Sequence, residues 1–216
     1  MFDVILFDLD GTLTDPGEGI TNSVAHALKK FGVVPPAREA LYPFIGPPLK
    51  ESFEKYYSFS PEDQEKGVLY YREYFADRGI FENRVYPGVP ETLAALKNCG
   101  TILGLATSKP DRFAKIILDH FDLSRYFDLF AAATMAETRT KKGEVIRYAL
   151  SLLPEARKKT VLMVGDREND LSGAKENGVS FCAALYGYGS REELQGADFF
   201  IEKPADLLKV VKGEEK

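Results

Sequence analysis

Six short apolar runs, rich in strand-forming residues, recur along the chain and limit the folds that it can adopt. They cover residues 2–7, 101–106, 128–134, 160–164, 179–184 and 198–201. From Pro90 onward these runs alternate with segments whose apolar residues recur at helical spacing. Such an alternation predicts an α/β fold, in which helices cover both faces of a doubly wound parallel sheet.

The alternation is interrupted between the first run and the second. Residues 14–88 show helical periodicity and no convincing strand pattern, and Ser60 followed by Pro61 is a typical helix start. Proline and glycine residues flank this segment on both sides, as is common at domain borders. We therefore predict an all-helical insert over residues 15–88 and a core domain formed by residues 1–14 and 89–216, with Asp15 at the start of the connection.

Polar residues follow four of the strands at the carboxyl end, which is where open parallel sheets bind their ligands. In strand order these residues are the DLDGT segment at 8–12, Thr107 with Ser108 and Lys109, Lys141 with Lys142, and Asp166 with Asp170. Because the strands are predicted to be parallel, we expect these four groups to meet at one edge of the sheet.

This set of motifs, in this order, resembles the haloacid dehalogenase superfamily of phosphohydrolases. The resemblance rests on DLDGT, a threonine at the end of a strand, a lysine that opens a helix and the GDREND segment at 165–170, and it spans the whole chain. The helical insert after the first motif is similar to that family's cap, most closely in the phosphoglycolate phosphatase-like branch. The resemblance implies a Rossmann-like core and a phosphatase that uses Mg²⁺.

The chemistry of phosphate esters explains why carboxylates stand in the first motif. Hydrolysis of phosphate monoesters is among the slowest uncatalysed reactions, and proton transfer by side chains alone does not accelerate it enough. A carboxylate nucleophile divides the reaction into two easier steps, and Mg²⁺ allows that anion to approach an anionic phosphoryl group. We predict that Asp8 is the nucleophile, and that Asp10 protonates the leaving alkoxide and then activates water.

The predicted Mg²⁺ site consists of oxygen ligands, which this ion prefers. We expect Asp8, Asp166 and the backbone carbonyl of Asp10 to bind it, with Asp170 as a further ligand or as a hydrogen-bond acceptor behind the others. Acids are also common at helix N-termini, where the helix dipole favours them. Asp166 and Asp170 alone would therefore not indicate a metal site, and the assignment depends on their occurrence together with the DLDGT motif.

The residues expected to bind phosphate are Gly11, Thr12, Thr107, Ser108 and Lys142. Gly11 permits a tight turn whose backbone N–H groups face the phosphoryl oxygens. Thr107 is favoured over Ser108 as the catalytic hydroxyl, and Lys142 is expected to neutralise charge on the phosphate and on Asp8. The family's Lys-Pro-x-Pro frame is absent from TKKGEVI, so an active-site role for Lys141, or a surface position for both lysines, stays open.

The insert is expected to exclude water and to select the leaving group. Candidate contacts are Ile45, Gly46 and Pro47, although an ordinary turn between helices would explain the same residues. No arginine stands in this loop to pair with a substrate carboxylate, so phosphoglycolate is not favoured over a sugar phosphate or a nucleoside monophosphate. The insert's many aromatic residues would either stack on a base or form its own core.

Composition excludes several classes of function. The formal net charge is -5 and the basic residues are scattered, which argues against a nucleic-acid polymer as partner. Two cysteines are too few for a disulfide framework or a zinc site, and no apolar run is long enough to cross a bilayer. We expect a cytoplasmic monomer or homodimer that acts on a small phosphorylated metabolite and does not bind membranes.

Three functions are consistent with these residues. The first is the Mg²⁺-dependent phosphatase, and the second is a phosphomutase that uses the same apparatus. The third is a non-enzymatic module that accepts a phosphoryl group or binds a partner. A receiver module would lack both the DxDGT motif and an insert of this length, so the phosphatase is the leading hypothesis.

Overall fold

The computed structural model describes residues 2–136, 138–155 and 160–213. The chain forms two compact units, which divide at residues 14/15 and 84/85. The second boundary predicted from the sequence, after residue 88, lies a few residues further along. The larger unit contains a six-stranded parallel sheet, and the predicted α/β fold class is confirmed.

Strands and helices alternate along most of the larger unit, and the insert lies between the first and second strands of the six-stranded sheet in the sequence. The strands are β1 (Val4–Phe7), β2 (Thr14–Asp15), β3 (Arg84–Val85), β4 (Ile102–Pro110), β5 (Leu129–Ala133), β6 (Val161–Gly165), β7 (Ser180–Ala184) and β8 (Phe199–Ile201). The α-helices are α1 (Gly17–Lys30), α2 (Leu49–Tyr57), α3 (Pro61–Tyr74), α4 (Val89–Asn98), α5 (Asp111–His120), α6 (Lys142–Ser151), α7 (Glu168–Glu176) and α8 (Leu207–Lys212). Short 3-10 helices span Arg38–Phe44, Ser124–Tyr126 and Pro204–Asp206, and a π-helical turn spans Phe75–Gly79. None of the helices in the described part of the chain is long and apolar enough to cross a membrane.

The order of the strands places β1 near the centre of the sheet. The order is β5-β4-β1-β6-β7-β8, and every neighbouring pair is parallel. Phe7, the last residue of β1, is in register with Leu105 of β4 and with Val164 of β6. The residues that follow these positions on the three strands therefore meet at one edge of the sheet.

The sheet is buried on both faces, which accounts for its nearly continuous apolar strands. On one face Leu6 packs in a cluster with Ile146 of α6 and Leu171 of α7. Phe7 points to the opposite face, where it lines an apolar cavity together with Leu93 of α4. Each side chain buried in this way stabilises the fold by roughly 1.5–3 kcal/mol.

The insert is built on α1, α2 and α3. Ser60 caps α3 as predicted, because its hydroxyl accepts a hydrogen bond from the backbone N–H of Asp63 at 3.2 Å. Gly19 of α1 lies so close to the π-helical turn that a β-carbon on it would collide with the carbonyl oxygen of Gly79. Glycine at this position thus allows the two backbones to approach each other.

Aromatic residues of the insert pack on one another. The rings of Phe53 and Phe59 stack with centroids 5.4 Å apart, and those of Tyr71 and Phe75 stack at 5.2 Å. Phe53, Tyr71 and Phe75 are all buried. For these residues the structure supports the packing role rather than a platform for a base.

Two very short strands connect the insert to the rest of the chain. The sequence predicts no strand within residues 14–88, but β2 and β3 pair there as a two-stranded ribbon. Strands of two residues are too short to leave a periodic pattern. Asp15 holds this connection, since its Oδ2 accepts hydrogen bonds from Arg84 Nε at 2.9 Å and Nη2 at 2.6 Å.

Candidate active site

The end of β1 places Asp8 at the centre of the sheet edge. The backbone N–H of Asp8 donates to the carbonyl of Val164 on β6 at 2.9 Å, which continues the sheet by one residue. Its side chain is 5% exposed. A rigid strand end therefore holds a buried carboxylate between β4 and β6.

Three carboxylates gather at this point. Ligand oxygens of Asp8, Asp166 and Asp170 all lie within 4.8 Å of one another, and all three residues are buried. Burial, together with the charges of Asp170 and Asp8, raises the pKa of Asp166 well above its usual value. Burial raises the pKa of Asp170 to about 6, although Lys142 opposes the shift.

This cluster fits a divalent cation. Crowding of buried carboxylates is unfavourable unless a positive charge compensates them. Carboxylate oxygens are the ligands that Mg²⁺, Mn²⁺ and Ca²⁺ prefer. In addition, Oδ1 of Asp10 is buried and has no hydrogen-bond partner within the described ranges. The donor set is thus suited to a metal ion.

Lys142 provides a positive charge inside this cluster. As the first residue of α6, it places Nζ 2.7 Å from Asp8 Oδ1 and 2.8 Å from Asp170 Oδ1, and it donates to the carbonyl of Ala106 at 3.0 Å. Burial alone would lower the pKa of Lys142, but the charges of Asp170 and Asp8 raise it above its usual value. Lys141 precedes the helix and is exposed, so the structure brings Lys142 to the site.

Asp166 is held in place from two sides. The hydroxyl of Thr12 donates to Asp166 Oδ1 at 3.2 Å, and the backbone N–H of Tyr188 donates to Oδ2 at 2.8 Å. A β-carbon on Gly11, whose φ is +85°, would collide with the same carboxylate. The Thr12 hydroxyl therefore serves Asp166, and the phosphate contact that the sequence predicts for Thr12 stays a prediction.

Asp170 organises the loop between β6 and α7. Its Oδ2 accepts hydrogen bonds from the backbone N–H groups of Asp166 and Arg167, both at 3.1 Å. Its other oxygen contacts Lys142. Asp170 thus links the loop that carries Asp166 to the lysine on α6.

Thr107 lies near the carboxyl end of β4 and is buried, whereas Ser108 is partly exposed. The backbone N–H of Lys109 donates to Thr107 Oγ1 at 3.2 Å. Because the oxygen accepts this hydrogen bond, the hydroxyl proton remains available for an external acceptor. Such an arrangement suits the phosphoryl contact predicted for Thr107.

Lys109 is a charged site residue that the sequence analysis places at a strand end but to which it assigns no role. Its Nζ lies 2.5 Å from Asp10 Oδ2, and both side chains are buried. Burial raises the pKa of Asp10, and the charge of Lys109 opposes that shift. The signal for Lys109 was its position two residues after Thr107 on the same strand, since residues at that spacing share a face of a strand.

The segment after β7 also contributes contacts that the sequence analysis missed. The Tyr186 hydroxyl donates to the backbone carbonyl of Thr12 at 3.0 Å. A β-carbon on Gly187 would collide with the carbonyl oxygen of Gly11 and with the Asp166 side chain. Burial raises the pKa of Tyr186 well above its usual value, so its hydroxyl stays a donor. This segment packs directly against the DLDGT loop.

The three residues predicted to select the substrate lie in the other compact unit. They stand between the helix Arg38–Phe44 and α2. Ile45 is fully buried, while Gly46 and Pro47 keep partial exposure. Gly46 has a φ of +103°, which explains a glycine in this turn. Their contact with a substrate stays a prediction.

Comparisons with known proteins extend over nearly the whole chain. Residues 5–184 match the model of a family described as haloacid dehalogenase-like hydrolase. A solved structure, that of a predicted phosphatase from Clostridium acetobutylicum, superposes with a TM-score of 0.95 at 42% identity and covers 99% of both chains.

Three curated relatives carry different names. A Pseudomonas aeruginosa protein named 5'-nucleotidase is 47% identical over 191 residues, which are 88% of this chain and 86% of that protein. A Mycobacterium tuberculosis protein named tyrosine-protein kinase PtkA is 35% identical over 205 residues, which are 95% of this chain and 67% of that protein. An Aquifex aeolicus protein named phosphoglycolate phosphatase is 32% identical over 209 residues, which are 96% of each chain.

Proposed function

Because the chain belongs to the haloacid dehalogenase-like hydrolase family, we propose that it is a Mg²⁺-dependent phosphatase that hydrolyses a small phosphomonoester through a phosphorylated Asp8. The family and the enzyme class predicted from the sequence, a phosphoric monoester hydrolase, are confirmed by the comparisons. One observation carries the proposal. Asp8 directly follows a central strand and lies in a buried cluster that contains two further acids and Lys142.

In the first half of the proposed reaction, a carboxylate oxygen of Asp8 attacks phosphorus. The bond between phosphorus and the leaving oxygen breaks, and Asp10 gives its proton to that oxygen, so the product leaves as an alcohol. Lys142 contacts Asp8 and neutralises part of the charge that gathers there. The Thr107 hydroxyl donates to a phosphoryl oxygen.

In the second half, water hydrolyses the phosphorylated Asp8. Asp10, now a carboxylate, accepts a proton from the water as its oxygen attacks phosphorus. The bond between phosphorus and Asp8 breaks, which frees Asp8 and releases inorganic phosphate. General acid–base catalysis of this kind contributes about 10²–10⁴ to a rate.

The proposed metal ligands are the side chains of Asp8, Asp166 and Asp170 and the backbone carbonyl of Asp10. When bound, Mg²⁺ neutralises negative charge on the phosphoryl group and on the attacking carboxylate. Lys142 offsets one negative charge of this set. Burial raises the pKa of both Asp166 and Asp170, as is expected for crowded carboxylates without a bound cation.

A nucleoside 5'-monophosphate is the substrate that we propose first. The support is the 47% identity to the relative named 5'-nucleotidase, which exceeds the 32% identity to the relative named phosphoglycolate phosphatase. The loop at Ile45 to Pro47 offers no arginine for a substrate carboxylate. Sugar phosphates and phosphoglycolate are the competing substrates. We further propose that the protein acts on free metabolites in the cytoplasm.

A second function would use the same phosphorylated Asp8 but a different acceptor. The similarity to the relative named tyrosine-protein kinase PtkA is the reason to test whether the phosphoryl group is transferred to a hydroxyl group instead of water. A phosphomutase would likewise return the phosphoryl group to a sugar. Release of inorganic phosphate at the full turnover rate excludes both alternatives.

One screen tests this proposal. Phosphate release is measured for nucleoside monophosphates, sugar phosphates and phosphoglycolate, with Mg²⁺ and with EDTA, for the wild type and for Asp8→Asn. We expect Mg²⁺-dependent release by the wild type and none by Asp8→Asn, whose circular dichroism stays native. Release that persists in EDTA or in folded Asp8→Asn would contradict the proposal.

A further inference from the structure

Lys109 and Asp10 form a buried ion pair that the proposed reaction does not yet explain. Their side chains are 6% and 10% exposed, and Lys109 Nζ lies 2.5 Å from Asp10 Oδ2. Placing a lysine in such a site is unfavourable unless its partner has good geometry. The pair is therefore a specific feature of this edge of the sheet.

The ion pair makes the two oxygens of Asp10 different. Oδ2 is bound to Lys109, whereas Oδ1 is buried and has no hydrogen-bond partner in the part of the chain that the structure describes. A carboxyl group that transfers a proton must present one oxygen to the leaving group in a fixed direction. By holding Oδ2, Lys109 determines the rotation of the carboxyl group and leaves Oδ1 available.

The strand that carries Lys109 is irregular at this point. The register between β4 and β5 shifts between Thr107 and Pro110, so the pairing is irregular at Lys109. The backbone N–H of Lys109 also donates to Thr107 Oγ1 at 3.2 Å. The same residue thus orients the threonine hydroxyl through its backbone and Asp10 through its side chain.

We propose that Lys109 is a positioning residue that holds Asp10 in the orientation required for proton transfer to the leaving group, an inference that rests on the proposed phosphatase function. As the bond between Asp8 and phosphorus forms and the bond to the leaving oxygen breaks, the proton on Asp10 Oδ1 moves to that oxygen. Lys109 remains on Oδ2 throughout and gives up no proton.

The dependence of the rate on the leaving group distinguishes this role from a structural one. A poor leaving group needs the proton of Asp10, whereas a good leaving group departs without it. Phenyl phosphate and p-nitrophenyl phosphate have similar shapes, but phenolate is the poorer leaving group because phenol has a pKa of about 10. The ratio kcat/KM reports only the steps up to release of the phenol, and so it isolates this proton transfer.

The test compares Lys109→Met with Lys115→Met, which removes a lysine from an exposed ion pair with Asp119 on α5. We expect Lys109→Met to lower kcat/KM at least about tenfold more for phenyl phosphate than for p-nitrophenyl phosphate. This loss is a fraction of the rate factor of about 10²–10⁴ that a general acid contributes. We expect Lys115→Met to leave both values unchanged. In an Asp10→Asn background, Lys109→Met should no longer change the ratio of the two substrates.

Equal losses on both substrates by folded Lys109→Met would overturn the positioning role, as would an undiminished effect in Asp10→Asn. If Lys109→Met does not fold, Lys109→Gln is measured in its place, because glutamine stays polar in the buried site but is uncharged and too short to hold Asp10 Oδ2 as Lys109 does. That variant must still lose more activity on phenyl phosphate, or the inference is wrong. Failure of the proposed function itself gives a different result, since the wild type would then release no phosphate in Mg²⁺.

Discussion

Replacement of Lys142 by methionine removes the positive charge that touches both Asp8 and Asp170. Methionine has a similar length, so the change removes three contacts of Nζ, at 2.7 Å, 2.8 Å and 3.0 Å, without a large loss of volume. Two buried carboxylates then lose their partner, which typically costs about 3–5 kcal/mol of folding free energy. Loss of one preorganised charge at a developing anion lowers kcat by about 10²–10³.

Urea denaturation and steady-state phosphate release measure these two effects separately. The matched control is Lys141→Met, one residue earlier, whose side chain is exposed. We expect that control to retain wild-type stability within about 0.5 kcal/mol, as surface substitutions usually do, and to retain activity. Near-normal stability and activity of Lys142→Met, or a large loss in Lys141→Met, would refute the assignment of the active-site lysine.

Two further predictions concern the metal site and the segment that supports it. Mg²⁺ should raise the thermal midpoint of the wild type, because a ligand that binds only the folded state stabilises it, and Asp166→Asn should abolish most of this shift. Gly187→Ala should weaken Mg²⁺ binding, measured by calorimetry, about 10–100-fold. The added β-carbon would collide with the carbonyl oxygen of Gly11 and with Asp166, and would so displace a proposed metal ligand. Gly100→Ala is the control, since its φ of +78° costs about 1–2 kcal/mol at a remote site and should leave Mg²⁺ affinity intact. An unchanged midpoint with Mg²⁺, or equal affinities in the two glycine variants, would contradict these expectations.

The arrangement of the sheet was predictable because parallel strands impose their own geometry. Once the apolar runs are identified as parallel strands, the residues after them must meet at one edge, and the structure places Asp8, Thr107 and Asp166 there. Lys142 could be favoured over Lys141 because it stands directly before the Gly-Glu-Val-Ile helix start. A helix that begins at Lys142 turns this side chain toward the acids and leaves Lys141 in solvent.

Other contacts left no pattern in the sequence. The bond from Tyr188 to Asp166 uses a backbone N–H, which every residue except proline can supply. The spacing of Lys109 from Thr107 indicates a shared face of β4, but it does not identify Asp10 as the partner of Lys109. The strands β2 and β3 are two residues each, below the length at which alternation can be detected. Such features arise from tertiary contacts, and three-dimensional coordinates are needed to find them.

The central claim is that Asp8 carries the phosphoryl group during turnover. Asp10→Asn should slow hydrolysis of the phosphorylated enzyme, so the intermediate should accumulate in this variant. The variant is mixed with p-nitrophenyl phosphate and Mg²⁺ and quenched in acid within one turnover. The site of phosphorylation is then identified by peptide mass spectrometry. We predict a single phosphorylated residue, Asp8, formed in step with a burst of p-nitrophenol. A burst without a phosphorylated peptide, or a phosphoryl group on another residue, would contradict the account.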